Sequence, residues 1–375
     1  MKLRVERDVL AESVQWAART LPSRPSLPVL AGLVLDANGD ELVLSSFDYE
    51  VSARVEVSAD ITTAGRVLVP GRLLADIARS LPGAPVVIDA EGTRVSITCG
   101  RASFVVPTLP VEDYPQLPAM PGGSGSIDAA TFAAAVAQVA VAAGRDDTLP
   151  TLTGIRMEFE GSTIVLAATD RYRLAVREFA WNPSNPSVSA QVLVPSKTLA
   201  DTAKSLTDAD EVVIALASGG AGEGLIGFQG SGRRTTTRLL DGEFPKYRTL
   251  LPNEAASVAD VDTAALIEAV KRVALVAERN TPVRLSFEGD EVTLRAGTGD
   301  EAQAAESLEA HLEGDVIDIA FNPGYLQDGL AAVNASVTRF SFTQANRPAV
   351  LTGLDADGVN LDDYKYLLMP VRLTG

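Results

Sequence analysis

The chain has 375 residues, and its 32 Lys and Arg against 49 Asp and Glu give a net charge of −17 at pH 7. That charge excludes a protein whose surface as a whole attracts nucleic acid or anionic membranes. The length exceeds one ordinary hydrophobic core and predicts two or three domains, while 46% apolar residues are typical of a folded soluble protein.

The first residues, MKLRVERD, are charged and lack the apolar segment of a signal peptide. The longest nearly apolar run, FAAAVAQVAVAAG from Phe132, is too short to span a bilayer. Cys99 is the only cysteine, which rules out an internal disulfide and predicts a reducing, cytoplasmic location. Its strand-like surroundings, RVSITCG, predict a buried and inert thiol.

In chain order, the first third predicts an amphipathic helix from Arg7, RDVLAESVQWAART. Paired alternating strands follow from Gly32, with a turn at Asn-Gly. The stretch VLVPGRLLADIARSL from Val67 then predicts a short strand that ends at proline, followed by a second amphipathic helix. The order is therefore helix, strands, helix, strands.

The middle third repeats this order, with a helix from Asp128 and paired strands from Gly154. Its stretch VLVPSKTLADTAKSL, from Val192, is identical at ten of fifteen positions to the stretch from Val67. Identity of this quality at corresponding places indicates an internal repeat.

The last third shows the order again, more weakly, with a helix TAALIEAVKRVALVAERN from Thr263 and a hairpin from Val283. The stretch DIAFNPGYLQDGLAAV from Asp318 takes the place of the second helix. Together these features predict an α+β fold of three repeated domains, residues 1–120, 125–253 and 257–375, each with two helices and antiparallel sheets. Two domains followed by an unrelated tail remain the alternative.

Basic residues recur seven positions apart, which places them on one face of a helix. Arg72 and Arg79 have this spacing, as do the pairs Lys197 with Lys204 and Arg272 with Arg279, and Gln138 with Arg145 is a diluted version. Each pair taken alone is also typical of an ordinary solvated helix face. Recurrence at corresponding places in an acidic protein favours a shared cationic surface.

Five blocks in order resemble the bacterial DNA polymerase III sliding clamp, the beta subunit, over the whole length. They are SRPSLPVLAGLVL from Ser23, TDRYRLAV from Thr169, DGEFPKYRTLLP from Asp241, FNPGYLQD from Phe321 and YLLMPVRL from Tyr366. The resemblance implies a non-enzymatic processivity factor, in which a head-to-tail dimer forms a six-domain ring around duplex DNA. It also implies a homodimer, the replicative polymerase and an ATP-driven clamp loader as partners, and no cofactor or metal.

The ring can be checked by size. Twelve helices, each about 10 Å wide, make a circle about 38 Å across their axes and leave a hole of about 28 Å. A duplex about 20 Å wide passes through such a hole, whereas the six helices of one chain would leave about 9 Å. Helical spacing and the resemblance together predict the DNA-facing residues Arg24, Arg72, Arg79, Gln138, Arg145, Lys197, Lys204, Arg272 and Arg279.

The resemblance also implies a pocket that binds short hydrophobic peptides of partner proteins. Its residues would be Leu152, Thr169, Arg171, Tyr172, Arg173, Leu174, Pro245, Thr249, Leu250, Asn322, Tyr325, Leu367, Leu368, Met369, Pro370, Val371 and Arg372. Arg171 and Tyr172 stand where some members have Gly-His, and Thr249 stands where a basic residue is frequent. YLLMPVRL can equally be a buried final strand.

For the dimer seam, the resemblance pairs the first domain with the third. The implied residues are Arg101, Phe104, Val106, Ala274, Leu275, Asp300, Glu301 and Glu306. A solvated acidic loop is the alternative for the last three.

Two motifs suggest enzymes as alternatives to the clamp. GEGLIG from Gly222 matches the glycine pattern of an NAD-dependent oxidoreductase, but the sequence after it is strand-like where pyrophosphate binding needs a helix N-terminus. Asp146 and Asp147 would suit a metal-dependent nuclease, yet no further acidic group supports them. With His311 the only histidine, no Cys/His metal cluster or Ser-His triad is expected.

Overall fold

The computed structural model describes residues 1–217, 224–252, 254–277, 281–297 and 302–372. Within them the chain forms six α-helices, two in each predicted repeat. The helices are α1 (Arg7–Ala18), α2 (Gly71–Ser80), α3 (Ala129–Ala140), α4 (Ser196–Ser205), α5 (Thr263–Val273) and α6 (Pro323–Val333).

The strands fall into three groups that follow the repeats. In the first repeat they are β1 (Lys2–Val5), β2 (Gly32–Asn38), β3 (Glu41–Phe47), β4 (Val51–Ser58), β5 (Asp60–Thr63), β6 (Gly65–Pro70), β7 (Val86–Glu91), β8 (Arg94–Cys99) and β9 (Ala102–Pro107). In the second they are β10 (Gly123–Asp128), β11 (Gly154–Glu160), β12 (Thr163–Thr169), β13 (Arg173–Ala180), β14 (Asn182–Pro183), β15 (Ser189–Pro195), β16 (Glu211–Leu216), β17 (Leu225–Gly230) and β18 (Arg233–Arg238). In the third they are β19 (Ser257–Asp262), β20 (Val283–Glu288), β21 (Glu291–Ala296), β22 (Ala304–Glu313), β23 (Ile317–Phe321), β24 (Val337–Phe342), β25 (Ala349–Leu354) and β26 (Asn360–Leu368).

The chain divides into two compact units. The first comprises residues 1–132, 182–185 and 201–239, and the second comprises residues 133–181, 186–200 and 240–375. The first unit holds a five-stranded sheet (β5-β1-β7-β8-β9) and a nine-stranded sheet (β14-β10-β16-β17-β18-β4-β3-β2-β6). The second unit holds a twelve-stranded sheet (β15-β11-β12-β13-β26-β25-β24-β19-β22-β21-β20-β23). The predicted α+β fold of three repeats with antiparallel sheets is confirmed.

The units cut across the repeats because strands of consecutive repeats pair with each other. In the first unit β4 pairs antiparallel with β18, and in the second unit β13 pairs antiparallel with β26. The second repeat therefore supplies one strand group to each unit. Each joint is made by main-chain hydrogen bonds of a continuous sheet, which fixes its register.

Two helices end earlier than the sequence suggested. Helix α3 ends at Ala140, and the main chain turns away at Gly144, whose N–H donates to the Leu152 carbonyl at 2.7 Å. A Cβ at Gly144 would lie 3.1 Å from that carbonyl oxygen, so the close approach favours glycine. The prediction that Gln138 and Arg145 share one helix face is therefore wrong, since Arg145 lies beyond the helix.

Helix α5 ends at Val273 and continues only as a 3-10 turn over Ala274–Val276. Arg279, predicted to follow Arg272 along this helix, lies outside the described residues. Cys99 is fully buried, as predicted, and the carbonyl oxygens of Pro82 and Ala84, 3.2 and 3.1 Å from its sulfur, share its single S–H donor.

Of the GEGLIG stretch, Gly222 and Glu223 lie outside the described residues, and the chain from Leu225 forms strand β17. The helix that a dinucleotide site needs after its glycines is replaced there by the β17–β18 hairpin. Among the described helices, none combines the length and the apolar character that crossing a membrane requires.

Candidate functional site

A tight turn between β12 and β13, in the second unit, organises the predicted pocket. The Asp170 carboxylate accepts hydrogen bonds from the main-chain N–H groups of Tyr172 and Arg173 at 3.0 and 3.1 Å. The Thr169 hydroxyl donates to the Arg173 carbonyl at 2.6 Å. Arg171 takes a φ of 79°, the left-handed region, and these bonds hold it there. The turn thus presents the Tyr172 side chain to solvent in a fixed place.

The charge of Arg173 is paired within the chain. Its guanidinium is 5% exposed, donates to Asp170 at 2.9 Å and to Asp328 at 2.6 Å, and lies 4.3 Å from the centre of the Tyr325 ring. Burial alone lowers the pKa of Arg173, but the Asp328 hydrogen bond and the Asp170 charge raise the pKa above its usual value. Arg173 thus ties the turn to α6, and its contact with a peptide stays a prediction.

The pocket has an apolar floor on one face of the twelve-stranded sheet. Leu174 of β13 lies directly opposite Leu367 of β26, which lies opposite Val350 of β25. Directly opposed residues project to the same sheet face, so these side chains lie together. The buried cluster they belong to contains Ala167, Leu174, Leu193, Phe244, Tyr247, Val350 and Leu367.

Residues 244–251, called here the wall segment, cover part of this floor. Phe244 and Tyr247 are buried in the floor cluster, and Leu251 packs against it. A 3-10 turn over Tyr247–Leu250 follows, and it leaves Thr249 and Leu250 exposed. Pro245, Thr249 and Leu250, three of the predicted pocket residues, therefore stand on one short segment held by its own aromatic side chains.

Large apolar side chains around the floor remain in contact with water and form what we call the rim. Their exposed fractions are Tyr172 56%, Leu250 51%, Met369 41% and Val371 36%. Tyr172 stacks on Tyr325 with ring centres 6.2 Å apart, and its carbonyl accepts a hydrogen bond from the Met369 N–H at 2.9 Å. An exposed apolar rim above a buried apolar floor is a surface suited to an apolar peptide.

Some predicted pocket residues serve other purposes. Neighbouring residues of a strand project to opposite faces, so Leu368, fully buried, points away from Leu367 and the floor. This placement corrects the prediction for Leu368. Asn322 caps α6 by accepting a hydrogen bond from the Tyr325 N–H at 3.1 Å. Leu152 is buried in the 3-10 turn before β11, whereas Arg372 is exposed and Pro370 half-buried beside the rim residues.

The first unit contains the same turn without the pocket. Asp48 accepts from the N–H groups two and three residues on, and Tyr49 has a φ of 76°. Ser52 and Thr236 take the places of Leu174 and Leu367 there. They are directly opposed and joined by a 2.6 Å hydrogen bond. Phe47, in the place of Thr169, packs with Tyr114, which accepts a hydrogen bond from the Phe47 N–H at 2.7 Å. This counterpart is polar at its floor and filled by its own side chains.

Most of the predicted DNA-facing residues are exposed. Arg72 and Arg79 lie on α2, and Lys197 and Lys204 lie on α4. Neither lysine forms an ion pair with any residue the structure describes. Arg24 and Arg145 are exposed outside the helices. Gln138, in contrast, is half-buried and donates its amide to the Ala332 carbonyl at 2.8 Å, so it is structural.

Arg272 and Glu306 were predicted to face different partners, DNA and a second chain. The structure pairs them with each other, because the Arg272 Nε donates to a Glu306 carboxylate oxygen at 2.9 Å. The hydrogen bond raises the pKa of Arg272 and lowers that of Glu306. The pair is exposed to solvent, so the contacts of Arg272 with DNA and of Glu306 with a second chain stay predictions.

The predicted seam residues are partly available. Leu275 is 84% exposed on the 3-10 turn after α5, next to half-buried Ala274. Val106 is 3% exposed and packs in the core of the first unit, which corrects its prediction as a surface residue; its neighbour Val105 is 58% exposed instead.

The structure describes two of the remaining seam residues. Phe104 is half-buried on β9, and Arg101 is exposed in the turn before β9. Asp300 and Glu301 lie outside the described residues.

Comparison with known proteins covers the whole chain. Residues 1–118, 126–246 and 248–372 match the N-terminal, central and C-terminal domains of the DNA polymerase III beta subunit. The beta sliding clamp of Streptomyces coelicolor is 62% identical over 376 residues, which is all of both chains, and a beta sliding clamp homolog of Streptomyces muensis, GriR, is 49% identical over 99% of each.

Solved structures agree with these relatives. A sliding clamp of Pseudomonas aeruginosa bound to griselimycin superposes with a TM-score of 0.92 at 30% identity, over all of both chains. A Bacillus subtilis sliding clamp gives 0.91 at 27% identity, over 100% and 99% of the two chains. With the repeated fold and three matched domains, the chain belongs to the DNA polymerase III beta subunit family, the bacterial beta sliding clamps.

Proposed function

We propose that two copies of this chain close head to tail into a ring that encircles duplex DNA and tethers a replicative polymerase. Its domains would be residues 1–120, 125–253 and 257–375. The ring would act in the bacterial cytoplasm. The observation that carries the proposal is the apolar rim above a buried floor, because it gives a tethering protein a place to hold its partners. Opening the ring would fall to a separate ATP-driven loader.

The edges of the sheets support the dimer. Among the described residues, strand β9 pairs only with β8, and residues 304–309 of β22 pair only with β21. Such edges expose main-chain groups that a second strand can satisfy. Phe104 and Val105 supply apolar surface on β9 itself. Exposed Leu275 lies three residues after Arg272, which bonds to Glu306 of β22.

The repeats give the register that this seam should have. In the first unit Arg54 of β4 lies opposite Arg234 of β18. β22 pairs with β21 as β4 pairs with β3, which makes Ala305 the counterpart of Arg54. The β8–β9 and β17–β18 hairpins both have two-residue turns, which makes Ser103 the counterpart of Arg234. Ser103 of one chain should therefore face Ala305 of the other.

We expect Ser103→Cys combined with Ala305→Cys to form a disulfide across each seam on mild oxidation, since opposed residues have Cβ atoms about 5 Å apart. Oxidised after loading on circular DNA, the ring should stay on the circle in denaturant and leave when the circle is cut. The Ser103→Cys variant alone is the control. Release from the intact circle by denaturant would refute encirclement.

The acidic chain holds DNA by topology, so the basic helices need only weak phosphate contacts. Lys197→Glu with Lys204→Glu should lower DNA retention at low salt and flatten its salt dependence, because each lost phosphate contact lowers the slope by about 0.9. Binding to circular DNA is measured across a salt series. Arg94→Glu with Arg347→Glu, equal in charge and exposed outside the helices, is the control. Equal salt slopes for both variants would place the lysines away from DNA.

A further inference from the structure

Glu158, in the middle of β11, is a charged residue on the pocket face of the sheet with only 2% of its surface exposed. A buried carboxylate is costly unless it is paired and hydrogen-bonded. Its oxygens contact the Arg156 Nε at 2.6 Å, the Arg248 guanidinium at 2.5 Å and the Tyr247 hydroxyl at 3.2 Å. All three contacts together compensate the burial of the charge.

Two of those three partners belong to the wall segment. Tyr247 and Arg248 directly precede Thr249 and Leu250, which border the pocket. The segment forms no strand, and its described main-chain bonds are internal, such as Tyr247 N–H to Pro245 at 2.7 Å. It is therefore held to the sheet by side chains: the aromatic rings in the floor cluster and the bonds to Glu158.

The first repeat shows that the fold does not require this ionic contact. Asp36 stands in the place of Glu158, four residues after the glycine that starts each strand. Its carboxylate is half exposed, and its ion-pair partner among the described residues, Arg66, is 4.0 Å away. The corresponding covering segment is held instead by Tyr114 and apolar packing. The buried carboxylate therefore occurs in the second unit, which has the predicted pocket. It does not occur in the first unit, where side chains fill the corresponding place.

We propose that Glu158 is a positioning residue for partner peptides, which fixes the wall segment through Tyr247 and Arg248 so that Leu250 stands at the pocket before a peptide arrives. This inference rests on the proposed function. A wall that is already in place spares the peptide the free-energy cost of ordering it. The pKa of Tyr247, raised to about 12 first by burial and then by the Glu158 charge, agrees with a hydroxyl that donates its proton to the carboxylate.

The test uses the full-length chain and a fluorescein-labelled peptide from the carboxyl-terminal tail of the replicative polymerase. Glu158→Gln removes the charge and keeps the shape, and we expect peptide affinity to fall about tenfold. Glu160→Gln, the same change at the exposed end of β11, is the matched control and should bind as the wild type does. Equal affinities of the two variants overturn the inference.

A double-mutant cycle separates positioning from general stability. If Glu158 acts through the wall segment, its effect should shrink in a Leu250→Ala background and persist in full in a Met369→Ala background. Equal effects in both backgrounds overturn the positioning role. Tyr247→Phe, which removes one bond and no charge, should lower affinity without unfolding the chain. A wild-type chain that does not bind the peptide contradicts the proposed function itself.

Discussion

Leu275→Asp is expected to turn the dimer into a monomer. The leucine side chain is 84% exposed, and no large apolar residue of the described chain is more so, which leaves it available for contact with a second chain. In each of the ring's two closed seams the change removes an apolar contact and buries a carboxylate, a loss of about 4 kcal/mol or about a thousandfold in the dissociation constant per seam. Light scattering would report half the mass of the wild type.

Val316→Asp is the control, because Val316 is also an exposed apolar residue of the second unit and lies on the turn between β22 and β23. It should leave the mass unchanged. The Leu275→Asp monomer should keep its circular dichroism spectrum and its peptide binding, since neither depends on the seam, and should fail to remain on circular DNA. A dimeric Leu275→Asp chain would remove Leu275 from the interface.

Leu250→Ala with Met369→Ala is expected to weaken binding of the polymerase tail peptide by about 30- to 150-fold. Each side chain is about half exposed and would be covered by the peptide, so the pair should lose about 2 to 3 kcal/mol. Fluorescence anisotropy measures the affinity. Leu367 is a poorer choice, because it is buried in the floor and its truncation would leave a cavity that destabilises the fold.

Val316→Ala with Val359→Ala removes two other exposed apolar side chains of the same unit and serves as the control. Neither double variant should change the free energy of unfolding much, because exposed truncations usually cost little. Unchanged peptide affinity in Leu250→Ala with Met369→Ala would show that the peptide docks elsewhere.

The repeat could be predicted from sequence because periodicity and a near-identical stretch are local signals. The two compact units could not be predicted, because they depend on which strands of neighbouring repeats pair. Pairing between distant strands produces no sequence pattern at a fixed spacing. The helix ends at Ala140 and Val273 were also missed. The Ala-rich stretch after Ala140 still favours a helix, and the close approach of Gly144 to Leu152 that ends it is a tertiary contact.

Where the family pattern agrees with strand alternation, the predicted pocket residues lie together, as Leu174 and Leu367 do. Leu368 was assigned to the pocket because YLLMPVRL was taken as a block, although adjacent strand residues face opposite ways. Glu158 was not singled out at all. Arg156, Glu158 and Glu160 alternate as the polar face of a solvated strand does, and only the wall segment, some ninety residues later, buries the middle one.

In the first unit, side chains fill the place that corresponds to the pocket, and this affects how many partners can bind one ring on DNA. Phe47 and the Ser52–Thr236 pair fill that junction, so the first unit repeats the scaffold without repeating the proposed peptide pocket. A dimer would offer one such pocket on each chain to all its binding partners. Enzymes that act one after another on the same duplex would then compete for these pockets. The order in which they act would depend on the residence time of each enzyme in the pocket.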